Sequence, residues 1–159
     1  MKRAIKGIAL LLLSALMLFS CADSRKDCEE LFSELYGREA LSVGRLYLLK
    51  AKEWEEGYLS AELFSSLYAT PPQENADAEM SRLEDCAIYL SSSLDSVCEI
   101  GIFLCYSNTD TERIAKMCHR RISLISSAKD YTDLSALKNA RVEIKGRYVF
   151  YALINADDK

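Results

Sequence analysis

The chain has 159 residues, half of them hydrophobic, and its net charge is −4 at neutral pH because 24 acidic residues outnumber 20 basic ones. A nucleic-acid binder needs a concentrated basic surface, so this acidity argues against nucleic acid as a partner. The chain has a single histidine, and no two of its cysteines have the close spacing that is typical of a zinc site. We therefore expect no metal and no cofactor.

The first 20 residues have the form of a secretory signal peptide. A basic start with Lys2, Arg3 and Lys6 is followed by an apolar run over residues 8–19, which is the order of segments in an export signal. The run is shorter than the ~20 apolar residues of a comfortable membrane span. An uncleaved N-terminal anchor is the alternative, and the charged residues of segment 23–27 argue against it.

The signal ends in the stretch Leu18-Phe19-Ser20-Cys21. This stretch resembles the lipobox of bacterial lipoprotein precursors. The resemblance implies that a diacylglyceryl group is attached to the Cys21 thiol and that residues 1–20 are then removed. Ala22, rather than aspartate, follows the cysteine, and the resemblance then implies outer-membrane sorting if the bacterium has two membranes. We therefore expect a protein of the bacterial cell envelope whose Cys21 holds it to membrane lipid.

Residues 21–26 form the whole tether between this anchor and the folded part. Five extended residues after Cys21 span at most ~17 Å. Two or three acyl chains anchor a protein stably, whereas one chain holds it only marginally. The domain is therefore expected to lie close to its bilayer.

Apolar residues recur at helical spacing along most of the mature chain, which predicts amphipathic helices. We predict a single all-α domain over residues 27–156, folded as a bundle or as stacked hairpins of about five helices. The apolar pattern is most continuous over residues 76–106, which we assign to the core helix. The helices are expected at residues 25–55, 61–68, 76–106, from residue 109 onward and from residue 130 onward.

Residues 142–154 permit a different structure. They are rich in β-branched and aromatic residues and contain Gly146, a composition that is typical of a β-hairpin. Leu134, Leu137, Ile144 and Tyr148 nevertheless continue the helical spacing. A helix and a hairpin therefore both remain open for this segment.

Six cysteines in an exported chain make disulfides possible. With Cys21 acylated, five thiols remain, so at least one is unpaired or bonded outside the chain. If the third and fourth helices form an antiparallel hairpin, Cys98 and Cys118 lie opposite each other, and this is our preferred bridge. Cys28 and Cys86 would form a second bridge if their helices run parallel. The alternative is that all five are small apolar core residues.

No catalytic pattern stands out in the sequence. His119 follows Cys118 directly, but adjacent residues on a helix point about 100° apart, so these two cannot act as nucleophile and base. We expect His119 on the surface. The sequence also lacks a glycine-rich phosphate loop and the G-x-S-x-G pattern of a nucleophile elbow. We therefore expect no enzymatic activity.

Two functions fit these observations. The first is a lipid-anchored adaptor that holds a protein partner on its helix faces. The second is a carrier whose helices enclose a pocket for a hydrophobic or anionic small molecule. An adaptor requires an exposed apolar or charged groove, and a carrier requires an enclosed apolar cavity. The candidate partner contacts are two basic stripes at helical spacing, which contain Arg113, Lys116 and Arg120 and then Lys138, Arg141 and Lys145.

The lipid anchor leads to a direct prediction. Protein extracted from native membranes in mild detergent should have the mass of a chain that begins at an acylated Cys21. Intact-mass spectrometry measures this mass, and the same sample reveals any protein or small molecule that is extracted with it. An unmodified Cys21 would contradict the assignment of both the anchor and the location.

Overall fold

A computed structural model describes residues 25–37, 44–68, 76–92, 97–128 and 135–154. These segments contain a mixture of helices and strands. The helices are α1 (Cys28–Tyr36), α2 (Ala61–Tyr68), α3 (Ala76–Met80) and α4 (Asn108–Ser127), with a short 3₁₀ helix at Ser135–Asn139. The strands are β1 (Gly44–Leu48), β2 (Leu83–Ser91), β3 (Glu99–Cys105), β4 (Arg141–Lys145) and β5 (Tyr148–Leu153).

The five strands form one antiparallel sheet in the order β1-β2-β3-β5-β4. β4 and β5 are joined by the two residues Gly146 and Arg147, and Gly146 has a φ of 57°, the left-handed conformation that such tight hairpin turns require. This hairpin inserts β5 beside β3 and leaves β4 at the edge of the sheet. β1 lies at the opposite edge.

Helices cover both faces of the sheet. On one side, here called the α4 face, the long helix α4 and the short helix α2 pack on residues such as Ile88, Phe103 and Tyr151. On the other side, the α1 face, α1 packs on Ile102 and its neighbours. All seven residues of β3 are buried as a result. Strands covered on both faces have nearly continuous apolar sequences instead of alternating ones.

A β-bulge at the start of β2 decides where one buried acid lies. Leu83 pairs with Cys105, whereas Asp85 pairs with Leu104, so Glu84 is the additional residue. A bulge turns the following side chains to the other face, and Asp85 consequently lies on the α1 face. Its carboxylate accepts hydrogen bonds from the backbone N–H groups of Cys28 (2.8 Å) and Cys86 (2.9 Å).

The predicted all-α fold is wrong. The segment 76–106, assigned to one core helix, contains α3 followed by the paired strands β2 and β3. The segment 25–55 contains α1 and then β1. The physical reason is that an apolar run buried on both faces also supplies apolar residues at three- and four-residue intervals, so its periodicity does not distinguish a strand from a buried helix.

Two local expectations are confirmed, and one alternative that the sequence left open is decided. The short helix at 61–68 is present, and Ser60 Oγ accepts a hydrogen bond from the N–H of Leu63 at 3.1 Å. The helix expected from residue 109 begins one residue earlier, at Asn108, with Ser107 as its N-cap. For residues 142–154 the hairpin alternative is correct, since β4 and β5 pair in antiparallel register.

Close packing on the α4 face predicts a sensitive position at Gly101. A Cβ atom there would lie 2.6 Å from Cε2 of Phe103 and 3.4 Å from Cδ1 of Tyr151. Gly101→Ala should therefore lower the free energy of unfolding by about 1–3 kcal/mol, the usual cost of overpacking. Urea denaturation measures the change, with Ser126→Ala on the exposed side of α4 as the control; equal stability of the two variants would contradict the prediction.

Candidate functional site

A buried polar cluster lies between the sheet and α4. We call Tyr68, Glu99, Arg121 and Tyr151 the Glu99 cluster. Glu99, the first residue of β3, is only 2% exposed. Its carboxylate accepts hydrogen bonds from Arg121, at 3.2 Å from Nε and 2.9 Å from Nη2. The two groups thus form the two-pronged pair that a guanidinium and a carboxylate favour.

Two tyrosines complete the Glu99 cluster. The Tyr68 hydroxyl lies 3.5 Å from Oε1 of Glu99, a long hydrogen bond. The buried Tyr151 hydroxyl has no hydrogen-bond partner among the described residues. Burial, and next the negative charge of Glu99, raise the pKa of both phenols well above the ordinary value. Both tyrosines are therefore neutral at physiological pH and are poor proton donors.

This arrangement suits attachment better than chemistry. Arg121 donates to both oxygens of the Glu99 carboxylate, so the main partner of this acid is a side chain of α4. In the described segments no group of three His, Cys, Asp or Glu side chains is placed to hold a metal ion. The Glu99 cluster instead fastens α4, through Arg121, to the first residue of the central strand.

A second buried acid fixes the start of the folded chain. Asp85, besides its two backbone hydrogen bonds, lies 3.2 Å from Nζ of Lys50. The bond to the Cys28 N–H joins it to the first turn of α1, where a negative charge is stabilised by the helix dipole. The Tyr148 hydroxyl donates to the Lys26 carbonyl at 2.6 Å. The path of the chain near Arg25 is therefore held at one end of the sheet.

The candidate partner contacts do not form one surface. Arg113, Lys116 and Arg120 lie on α4, as predicted, and Arg113 is paired with Glu79 at 3.2 Å. The second stripe is not helical. Lys138 lies in the 3₁₀ helix, while Arg141 and Lys145 lie on β4 and, by their register with Ala152 and Tyr148, on the α1 face.

The candidate cysteines are placed on opposite faces of the sheet. Cys118 and Cys86 belong to the core on the α4 face, whereas Cys28 and Cys98 lie on the α1 face. The structure contains no disulfide among the five described cysteines, including Cys105. The bridges Cys98–Cys118 and Cys28–Cys86 would each have to pass through the sheet. The residues were paired on the assumption of helices, and the strands separate them.

His119 is exposed, as expected. Cys21 and the signal segment 1–20 lie outside the described residues. In the described part of the chain, no helix is both long and apolar enough to cross a membrane.

The edge strand β4 is the feature that the helical interpretation missed. Ile144 is 47% exposed there, although it lies in the middle of a strand. No described strand pairs with the outer side of β4. The β-branched residues at 142–154 were the available signal, and they indicated a hairpin without indicating which of its strands would be at the edge.

Comparison with known proteins adds one match. The family described as Domain of unknown function (DUF4358) matches residues 73–154. The matched segment contains β2, β3, α4, β4 and β5, and it therefore includes Glu99, Arg121 and the edge strand. No curated protein and no solved structure matches the chain.

The Glu99–Arg121 pair predicts a marked difference between single and double substitutions. Glu99→Leu or Arg121→Met leaves a charge without its partner in a largely buried position, which should cost about 3–5 kcal/mol of unfolding free energy. The double variant should lose less than either single variant because no unpaired charge remains.

The exposed pair Arg45–Glu56, whose side chains are 56% and 80% exposed, is the matched control, since such surface pairs contribute about 0–1 kcal/mol. Urea denaturation of both double-mutant cycles gives the coupling energies. Equal coupling in the two cycles would show that the Glu99 cluster does not fasten α4.

Proposed function

The chain belongs to the family described as Domain of unknown function (DUF4358), and we propose that it is a lipid-anchored protein of the bacterial cell envelope that binds a protein partner along the edge strand β4. The anchor rests on the lipobox resemblance of Leu18-Phe19-Ser20-Cys21. The partner site rests on one observation, an open strand edge that carries an exposed Ile144.

The two edges of the sheet differ in their protection. At β1, the N–H of Leu48 donates to Gly57 O at 2.7 Å and the N–H of Leu59 donates to Leu48 O at 3.1 Å. The chain itself therefore covers that edge at Leu48, the last residue of β1. β4 has no comparable partner among the described residues. An uncovered edge offers unpaired backbone groups that a second extended segment can bind.

The turn geometry identifies which backbone groups are available. Lys145 and Tyr148 flank a two-residue turn, so they form a hydrogen-bonded pair. Bonding alternates along an antiparallel pair. Arg141 and Glu143 therefore also bond to β5, while the N–H and C=O groups of Val142 and Ile144 point outward.

The side chains of β4 indicate the chemistry of the partner. Ile144 lies on the α4 face, in register with Val149, and an added strand would place an apolar residue beside it. Arg141, Glu143 and Lys145 lie on the α1 face, and Lys145 Nζ lies 3.7 Å from Oε2 of Glu143, so an added strand would favour an acidic residue opposite Arg141. The expected partner therefore supplies an extended segment with apolar residues on one face and an acidic residue on the other.

The carrier alternative receives no comparable support. Its requirement is an enclosed apolar cavity. The two depressions that stand out on the described surface are open to solvent, and one is lined by Asp27, Ser33 and three glutamates. The edge strand is thus the better basis for a function.

A photo-crosslinking amino acid at position 144 of the full-length protein, in cells that naturally produce it, tests the proposal. The control carries the same probe at Leu124, which is 44% exposed, close to the 47% of Ile144. Position 144 should crosslink to one protein, at an extended apolar and acidic segment that mass spectrometry locates. Identical products from both positions would count against binding at β4.

Ile144→Pro tests the backbone contact directly. Proline removes an outward N–H and an exposed side chain while leaving the hydrogen bonds to β5, since proline is tolerated at such edge positions. The amount of that crosslinked partner retained on the purified protein should fall at least about tenfold. Leu124→Ser is the control, and circular dichroism verifies the fold. Unchanged retention with a folded Ile144→Pro variant would refute strand addition.

A further inference from the structure

One end of the sheet is the place at which the chain enters the domain. β1, β3 and β4 end there and β2 and β5 begin there, as their antiparallel registers require. The start of α1 is bonded to Asp85 at this same end. Arg25 precedes α1 and is exposed. We call this region the Arg25 end.

The Arg25 end has a shallow depression with a basic lining. No carboxylate belongs to the lining, although Glu84 and Glu143 each pair with one of its cations from the side. A phosphate group favours cationic donors, and three cationic side chains, those of Arg25, Lys145 and Arg147, line this depression. The lining residues are Arg25, Leu104, Lys145, Gly146, Arg147 and Tyr148.

Arg147 lines this depression, and its guanidinium has one donor without a partner. Its Nη1 atom lies 3.0 Å from the Tyr106 carbonyl oxygen and 2.9 Å from Oε2 of Glu84. Its Nη2 atom is buried and has no hydrogen-bond partner among the described residues. A buried donor without a partner is unfavourable, and a rotation of the side chain that turned Nη2 toward the depression would let an anionic oxygen accept from it.

Exposed aromatic residues lie at the same end. Trp54 is 82% exposed, in the connection that leaves β1 there, and Tyr106, which directly follows β3, is 59% exposed. Tryptophan and tyrosine are the residues that favour the membrane–water interface. The outer strands of a five-stranded sheet are only ~19 Å apart, so the aromatic residues and the depression can reach one bilayer surface together.

The tether limits how far this end can lie from a membrane. Four residue steps separate Cys21 from Arg25, and they extend at most ~14 Å. If Cys21 is acylated, the Arg25 end must therefore lie near the lipid headgroups. The short connection between Cys21 and Arg25, rather than the charge of the whole domain, brings the Arg25 end to the lipid headgroups.

We propose that the Arg25 end rests on the bilayer that holds the Cys21 acyl chains, with the phosphate of an anionic lipid headgroup bound between Arg25, Lys145 and Arg147. This inference rests on the proposed lipid anchor. Asp27, Glu29 and Glu30 lie next to the region at the start of α1, so a general attraction of the domain to an anionic surface is weak. The phosphate contact is local, and it fixes which side of the domain faces outward.

Trp54 is the single tryptophan of the chain, and its fluorescence reports this contact without labelling. The acylated protein, purified in detergent, is reconstituted into phosphatidylcholine vesicles with or without phosphatidylglycerol. With phosphatidylglycerol, Trp54 emission should shift to the blue and should be quenched by brominated lipids. Unquenched emission from a chain whose mass confirms acylation would overturn the docking proposal while leaving the anchor intact.

Substitutions locate the phosphate contact. Lys145→Gln and Arg147→Gln should each reduce the docked population roughly fivefold, the contribution of one cation at an anionic surface. Lys138→Gln, an exposed cation outside the depression, should have no effect. Equal effects of all three would overturn the site. Lys145→Gln keeps the test informative if Arg147→Gln does not fold.

Two further arms separate the possible outcomes. Inorganic phosphate should not displace Trp54 from the vesicles, because a free anion lacks the attachment of the lipid; full displacement would mean that the depression binds soluble phosphate. If mass spectrometry finds Cys21 unmodified, the proposed lipid anchor fails, and with it the proposal that the anchor holds the Arg25 end on the bilayer. In that case the phosphate site is supported only if brominated lipids in phosphatidylglycerol vesicles at low salt still quench the Trp54 emission of the unmodified chain.

Discussion

The complete burial of β3 is the constraint on which the rest of the structure depends. All seven of its residues are buried, so the strand requires a neighbour on each edge and a covering layer on each face. β2 and β5 supply the edges, α4 and α2 cover one face, and α1 covers the other. Removing any of these elements would expose apolar surface and unpaired backbone groups together.

Two buried carboxylates attach the covering helices. Glu99 holds α4 through Arg121, and Asp85 holds the start of α1 through the Cys28 N–H. A buried charge is unfavourable unless its hydrogen bonds are satisfied, and both carboxylates meet that condition. They act on opposite faces because a β-bulge turns Asp85 to the α1 face. The bulge therefore also determines where α1 begins relative to the sheet.

The packing of helices on both faces of the sheet determines where a binding surface can lie. In the described part of the chain the helices cover both faces of the sheet, and the two proposed binding surfaces lie at its periphery, at the edge strand β4 and at the Arg25 end. The β4–β5 hairpin contributes to both, since Ile144 lies in its edge strand while Lys145 and Arg147 flank Gly146 in its turn. A membrane contact at the turn would leave the length of β4 accessible from the side. The two proposals are thus compatible within one domain.

The helical interpretation failed for a specific reason. In β2 and β3, residues on both faces are apolar, so the alternation that marks a strand is absent. Gly101 falls inside the segment predicted as the core helix, whereas in the sheet it leaves room for the Phe103 ring. The basic stripe predicted from Lys138, Arg141 and Lys145 likewise does not lie on one α-helix. Alternate residues of β4 place Arg141 and Lys145 on one face, and Lys138 precedes the strand.

The sequence by itself determined the features that depend on a few neighbouring residues. Ser60 before α2 and the approximate beginning of α4 are local signals, because caps satisfy backbone groups within a few positions. At residues 142–154 the sequence left a helix and a hairpin both open. Only the tertiary structure decided the sheet order, the two faces that separate the cysteines, and the pairing of Glu99 with Arg121. These features join residues that are distant in the chain, and their free energy comes from shared burial, which no local pattern records.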